Sequence, residues 1–317
     1  MRRGQNPAKF VKTVARPARI TAALLNYIPF LSGFYAEALD VLKVCLDSMC
    51  KDAGLPFDLM VFDNGSCAEV RDFLIAGKEA GGIQYLILSE KNVGKGGAWN
   101  VMLPGAPGEI IAYTDSDVLF SPGWLRRSVE ILETYPSVGM VTARPFRTPP
   151  EFYTRTLEWA RNSGTLQADQ EQFIPWETFL EFNLSLGQTE DENRKIYAET
   201  RDWVMRYNGV TALAGASHWQ FTSYKATLQQ FLPFDMEKPM GQVRQLDQRM
   251  NESGLLRLMV PEPLAMNMSN TLGYLRGELK ITPAPKGPSL KRRVLDLGPV
   301  KKLLLSLYNR IFNWYYS

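Results

Sequence analysis

The chain has 317 residues, 45% hydrophobic and 22% charged, which supplies one large core and excludes a disordered or fibrous chain. Its basic residues gather at the ends. Residues 1–19 carry Arg2, Arg3, Lys9, Lys12, Arg16 and Arg19 with no acid, and residues 283–317 carry seven lysines and arginines against Asp296 alone. The net charge is only +3, so the body between is acidic, which argues against a nucleic-acid enzyme with a basic central groove. It fits an enzyme whose ends touch an anionic surface.

The three cysteines, Cys45, Cys50 and Cys67, have no zinc-ligand spacing, and so small and odd a number suggests a reducing compartment. Cys45 and Cys50 sit in a helical apolar pattern and are expected in the core. No apolar run reaches the roughly 18–20 residues of a membrane span. Met1–Arg19 lacks the apolar middle of a signal peptide. The expectation is a cytoplasmic protein.

In chain order, residues 19–27 read as a buried strand. Tyr35–Lys51 has helical spacing at Leu39, Leu42, Leu46 and Met49. Phe57–Phe62 is a strand running into the turn chemistry of Asp63-Asn64-Gly65-Ser66. A helix over Ala68–Glu79, a strand over Ile83–Leu88 and a short helix over Gly97–Leu103 follow. Ile110–Thr114 is a strand ending in Asp115-Ser116-Asp117, and Ser121-Pro122 opens a helix to Thr134. Val138–Thr142 is another strand. Residues 151–208 change character, with helical pieces expected at Phe152–Arg161, Trp176–Leu186 and Glu190–Tyr207. Apolar patterning resumes at Gly209, and Leu246–Ser253 reads as a helix stopped by Gly254. A proline-rich linker over 282–290 precedes a final helix.

Alternating strands and helices predict an α/β fold with a Rossmann-like, mostly parallel sheet flanked by helices. The expected organisation is a basic segment 1–18, a catalytic domain 19–282 with a helical insertion at 151–208, and a linker with an amphipathic helix at 283–317. Ligands bind beyond the carboxyl ends of strands in such sheets. Asp63, Asn92 and Asp115–Asp117 all follow strands, so they should line one crevice.

Asp115 and Asp117 stand two residues apart in extended chain, so their carboxylates face one space. They would repel unless a hard cation relieved them. Mg²⁺ or Mn²⁺, with oxygen ligands completed by water and substrate phosphates, fits that need. Asn92-Val93-Gly94-Lys95-Gly96-Gly97 lets backbone approach a ligand closely and opens a helix whose N-terminus favours anions. It is neither a P-loop nor a full dinucleotide fingerprint.

These motifs, in this order, resemble the family 2 glycosyltransferases, whose catalytic domain has the GT-A fold. The resemblance spans about residues 19–270. It rests on Leu25-Asn26-Tyr27, Asp63-Asn64-Gly65-Ser66, Asn92-x-Gly94-x-Gly96 and Asp115-Ser116-Asp117. It implies a nucleotide-sugar donor, commonly linked to UDP, with the nucleobase held by Asn26, Tyr27 and Asp63. Asn92, Gly94 and Lys95 should lie near base, ribose or diphosphate. Asp115 and Ser116 should contact the ribose or sugar, with Asp115 also near the metal that Asp117 binds. It implies an inverting, direct displacement assisted by a general base.

The second half departs from the family pattern. Where a Glu-Asp pair is usual, Gln242-Val243 stands, leaving Asp247 as the base candidate; as a surface residue it could instead pair with Arg244 or Arg249. Asn267-Met268-Ser269-Asn270 stands where a metal-binding His is common. The single histidine, His218, and its neighbour Trp219 are candidates for acceptor or diphosphate, or else for core packing.

Val300, Leu303, Leu304, Leu307, Tyr308, Ile311, Phe312 and Tyr315 lie on one helical face, with Lys301, Lys302 and Arg310 opposite. That helix suits an anionic membrane surface and an acceptor that is a glycan or lipid-linked, or else docking on protein. No nucleic-acid partner is expected. The competing readings are a non-catalytic nucleotide-sugar-binding protein and a sugar nucleotidyltransferase, the latter disfavoured by Asn26-Tyr27-Ile28-Pro29-Phe30 after the first strand.

Overall fold

The computed structural model of the chain describes residues 4–163, 167–236, 243–277 and 310. The tail helix and Gln242 of the departing segment lie outside the described residues.

Strand β1 (Ile20–Asn26) leads to α1 (Ala38–Cys50), β2 (Asp58–Asp63), α2 (Ala68–Glu79), β3 (Tyr85–Leu88), α3 (Gly94–Gly105) and β4 (Ile110–Asp115). Then come β5 (Val118–Phe120), α4 (Trp124–Thr134), β6 (Val138–Thr142), α5 (Thr154–Asn162) and β7 (Gln167–Glu171). They are followed by α6 (Trp176–Ser185), α7 (Glu190–Glu199), β8 (Asp202–Tyr207), β9 (Val210–Ala214) and β10 (Gln220–Tyr224). The last described elements are α8 (Lys225–Gln229), α9 (Arg244–Glu252), β11 (Leu256–Met259) and β12 (Ala265–Asn267).

One sheet carries the order β3-β2-β1-β4-β10-β6-β11-β9-β8-β7. Strands β3, β2, β1 and β4 are parallel neighbours, as are β6 and β11, with β10 inserted antiparallel between β4 and β6. Within this sheet all strands but β10, β9 and β7 run one way. This is the mostly parallel, helix-flanked α/β sheet that the alternating pattern predicts.

The two faces of β1 show why the sheet needs helices on both sides. Ala22 and Leu24 pack with Val41, Leu42, Cys45 and Met49 of α1. Ala23 and Leu25 pack with Trp99, Met102 and Leu103 of α3 and with Leu246 and Met250 of α9. A strand buried on both faces reads as a continuous apolar run. At roughly 1.5–3 kcal/mol for each buried large side chain, these two layers dominate the stability. Cys50 corrects the core expectation: it ends α1 on the solvent side and is exposed, whereas Cys45, one turn and a half earlier, is fully buried.

The insertion at 151–208 is not wholly helical. Helices α5, α6 and α7 match their expected places, but Glu190–Tyr207 breaks at Thr200 and resumes as β8. Strands β7 and β8 extend the main sheet through β9. The cause lies at Asn208-Gly209, both with positive φ (47° and 78°), the two-residue hairpin turn that joins β8 to β9. The insertion has its own apolar centre of Phe146, Ile174, Phe179 and Phe182. Buried arginines clamp it to the sheet. Arg144 meets Thr178 O at 2.7 Å and Glu181 at 2.8 Å on α6, and Arg147 meets Asp202 at 2.7 Å. No helix among the described residues is long and apolar enough to cross a membrane.

Candidate donor site and the Asp247 cluster

The loops after β1 and β2 are sewn together by Asn26, Asp63 and Ser66, all buried. Asn26 Nδ2 donates to Asp63 Oδ1 and to Ser66 Oγ, each at 3.0 Å. Ser66 N donates back to Asp63 Oδ2 at 3.1 Å, so the turn reading of Asp63 holds. Ile28 N donates to Ser66 Oγ at 2.9 Å. Asn26 and Asp63 thus lie buried beneath the two loops they join, and Tyr27 is left exposed beside them.

Asn64 extends the seam to the next loop. Its Nδ2 donates to Asn92 Oδ1 at 2.9 Å, and its Oδ1 accepts from Val93 N at 2.9 Å. Asn92 Oδ1 also accepts from Gly94 N at 2.8 Å, which fixes the start of α3. The helix therefore begins at Gly94, three residues earlier than its pattern suggests, and Lys95 stands in its first turn.

Gly65 makes this seam possible. Its φ is +86°, and a Cβ there would meet Asn92 N and Lys91 C at 3.0 Å. We expect Gly65→Ala to cost about 1–3 kcal/mol, the scale of a strained backbone position. Urea denaturation checks it; an unchanged midpoint would refute the close-approach argument.

Asp115 ends β4. Lys95 Nζ lies 2.6 and 2.7 Å from its two oxygens, and Tyr113 Oη donates to Oδ1 at 2.5 Å. Tyr113 and Asp115 share a face of the strand because they are two residues apart. Burial and the Asp115 charge push the Tyr113 hydroxyl well up, so it stays protonated and donates. Asp117 is different. Its carboxyl is pushed up to about 7, first by desolvation and then by repulsion from Asp115, with Lys95 acting the other way. Ser116 is half-buried between the two. Among the described residues no group of three or more His, Cys, Asp and Glu side chains gathers to hold a metal. The donor set is thus two carboxylates that repel each other, one of them paired directly with Lys95. That suits a hard divalent ion whose remaining ligands are phosphate oxygens and water.

The loop between β9 and β10 brings a second group to the same edge. Asp115 N donates to Trp219 O at 3.0 Å, so His218 and Trp219 sit directly beside the carboxylate pair. The Trp219 ring packs on Phe146 and Phe182, with centroids 6.2 and 5.8 Å away, which favours the packing reading over sugar stacking. His218 Nδ1 lies 2.6 Å from Asp247 Oδ2. Asp247 is 5% exposed and on the buried face of α9, a correction to a surface aspartate paired with Arg244 or Arg249. Its other neighbour is Arg257 of β11, with Nη2 at 2.7 Å from Oδ1. That approach is an ion pair without hydrogen-bond alignment, since the Arg257 guanidinium donates to the carbonyls of Phe152 and Ala216.

Tyr113, Asn64, Ser66 and Arg257 are not among the residues that spacing singles out. Arg257 had a signal: a charge inside Leu256-Arg257-Leu258-Met259, an apolar strand, must be paired.

The arrangement defines a class first: an α/β sheet whose strand ends present an Asn/Asp-lined crevice, a cation-seeking carboxylate pair and a buried acid–base cluster. Residues 33–184, a little under half of the chain, match the family model Glycosyl transferase family 2. An uncharacterized glycosyltransferase of Nostoc sp., alr2836, is 28% identical over 100 residues, which are 32% of this chain and 31% of that one. Among solved structures, the mannosyltransferase PcManGT from Pyrobaculum calidifontis, in complex with GDP-Man and Mn²⁺, aligns over 79% of this chain and 56% of its own, with 17% identity and a TM-score of 0.45. S. aureus TarS 1-349, also solved in complex with UDP, aligns over 78% of this chain and 59% of its own, with 14% identity and a TM-score of 0.45. The chain therefore spans about a third of its curated relative and under two thirds of these solved chains.

Proposed function

We propose that the protein transfers a sugar from a nucleotide-sugar donor, with a UDP-sugar favoured, to a glycan or lipid-linked acceptor. The observation that carries this reading is the carboxylate pair at the end of β4: Asp115, paired with Lys95, and Asp117 beside it, desolvated and repelled by Asp115. The family match over 33–184 supports the transferase class.

In this reading the nucleobase lies against Tyr27 and the Asn26–Asp63 pair. Gly94 and Lys95 open α3 toward the diphosphate, where backbone N–H groups and the helix dipole favour negative charge. Asp117, with Asp115, would hold Mn²⁺ or Mg²⁺, which supplies charge neutralisation to the diphosphate. Lys95 holds Asp115 in place until the donor arrives. The resemblance to inverting enzymes supports one direct displacement at the anomeric carbon. The acceptor hydroxyl must then lose its proton, and the Asp247 cluster, on the carboxyl side of the sheet beside β10, supplies the machinery.

The test is thermal stabilisation by a panel of UDP-, GDP- and dTDP-sugars with and without Mn²⁺. A ligand at 100 times its Kd stabilises by about 2.7 kcal/mol, a readily measured shift. We expect one nucleotide class to act, and only strongly with the metal. No shift with any nucleotide would overturn the transferase reading. Binding without release of nucleoside diphosphate, in the presence of acceptor extracts, would favour a non-catalytic binding protein.

A further inference from the structure

We propose that His218, not Asp247, takes the acceptor proton, and that Asp247 is its positioning residue. This rests on the glycosyl-transfer reading above.

Asp247 is poorly placed to meet a substrate. It is nearly fully buried, with Oδ2 at 2.6 Å from His218 Nδ1 and Oδ1 at 2.7 Å from Arg257 Nη2. Both oxygens therefore face protein cations or donors. His218 is the more open member of the pair, with about a fifth of its side chain accessible. A carboxylate only accepts, so the short contact makes Nδ1 the protonated nitrogen of the neutral ring. That leaves the Nε2 lone pair free, and Nε2 has no partner among the described residues. The backbone places His218 beside the end of β4, since the residue after it accepts from Asp115 N.

Three chain segments fix the dyad. The loop residue His218 is anchored by Ser217, whose N donates to Thr142 Oγ1 at 3.0 Å. Asp247 rides on α9. Arg257 is locked on β11 by the carbonyls of Phe152 and Ala216. A buried guanidinium that pairs with Asp247 orients that carboxylate, and a carboxylate so held fixes the tautomer and direction of the ring it faces.

The step balances as follows. The acceptor hydroxyl gives its proton to His218 Nε2 while its oxygen bonds to the anomeric carbon. The bond from that carbon to the diphosphate oxygen breaks, and its electron pair leaves with the nucleoside diphosphate. The imidazolium then returns its proton to solvent.

His218 is the only histidine of the chain, so its ring can be read without assignment. The first arm is the imidazole ¹⁵N spectrum of the intact protein. We expect a protonated Nδ1 and a bare Nε2 in wild type, and loss of that tautomer in Asp247→Asn. A predominantly Nε2-protonated ring in wild type would overturn the proposal. The second arm is release of UDP or GDP from the stabilising sugar nucleotide with Mn²⁺, with water as acceptor. His218→Ala and His218→Gln should each lower the rate about 10²–10⁴-fold, the usual scale of general base catalysis. Their nucleotide-dependent thermal shift should stay as in wild type, and free imidazole should restore part of the rate to His218→Ala only. Rates within tenfold of wild type in both His218 variants, with Asp247→Asn inactive, would make Asp247 the base and sink the proposal. Loss of the thermal shift in wild type would instead sink the donor reading, which keeps the two failures apart.

Discussion

Asp117→Asn is expected to remove the stabilisation that Mn²⁺ confers and to lower donor turnover by at least about 100-fold, the scale seen when one preorganised charge-stabilising group is lost. The pH dependence makes this diagnostic. The ordinary value for this carboxyl is 3.8, and the fold raises it to about 7. Between those values the folded chain keeps a proton that the unfolded chain has released. Without metal, the Asp117 contribution to stability is therefore full below about 4 and is lost as pH rises toward 7. A divalent cation binds the ionised form, so its effect has the opposite sign. The Mn²⁺-induced rise in Tm should grow from pH 5 to 7 and level off above, because binding must first displace the proton. In Asp117→Asn both dependences on this group vanish. At pH 8 without metal the variant should be at least as stable as wild type, because a desolvated, repelled charge has gone. Melting curves at several pH values, with and without Mn²⁺, decide it. An undiminished Mn²⁺ response in the variant would move the metal elsewhere.

Asp202→Ala should be the most damaging single change outside the site, at about 3–5 kcal/mol, the cost of leaving one member of a buried ion pair alone. Asp202 opens β8 and is nearly inaccessible. Its carboxylate accepts from Arg147 Nε at 2.7 Å and Nη2 at 3.2 Å. Its Oδ2 also accepts from the backbone of Phe173 and Ile174, each at 2.9 Å. One side chain thus ties β8, the segment before α6 and the stretch after β6. Truncation strands two amide protons and leaves the Arg147 guanidinium with only Tyr197 O and Thr200 Oγ1. Asp202→Asn should be milder, because its carbonyl can still accept from the amides. Urea unfolding gives the global loss. Hydrogen exchange should show α6 and α7 loosening first while β1, β2 and β4 stay protected, since the insertion has its own small apolar centre. A loss below about 1 kcal/mol would mean that the pair behaves as an exposed one.

The insertion also shows where local reading stops. Residues 190–207 carry charge and aromatics at spacings that suit a helix, and α7 uses them, with a capping box at Thr189 and Glu192. Beyond Thr200 the same composition serves a strand. Val204 and Met205 are fully buried in the sheet, and Arg206 pairs across to Asp169 and Glu171 on β7. Period alone does not separate those cases; the partner strand does. Trp219 is similar. An aromatic beside a glycine-rich loop suits a sugar, but Phe146 and Phe182 reach its ring from the insertion side.

What the sequence determined by itself was local. Apolar runs punctuated by Asp, Asn and Gly prescribe strands that end in polar loops. A two-residue spacing sets Asp115 and Asp117 toward one space, and the Asp63–Ser66 turn carries its own hydrogen-bond partners. These features need only the backbone periods and the chemistry of neighbouring side chains. Only the tertiary structure decided which distant groups meet. Lys95 against Asp115, Arg147 against Asp202, and His218 against Asp247 are pairs across 20 to 55 residues of chain. The last of them follows from the way β10 enters antiparallel between β4 and β6, with β11 and β9 next in the sheet. That order brings the loop at 215–219 to the donor edge and sets α9 beneath it. Burial then supplies what sequence spacing does not contain: desolvation turns Asp117 into a cation seeker and holds Asp247 in an ion pair behind a half-open imidazole.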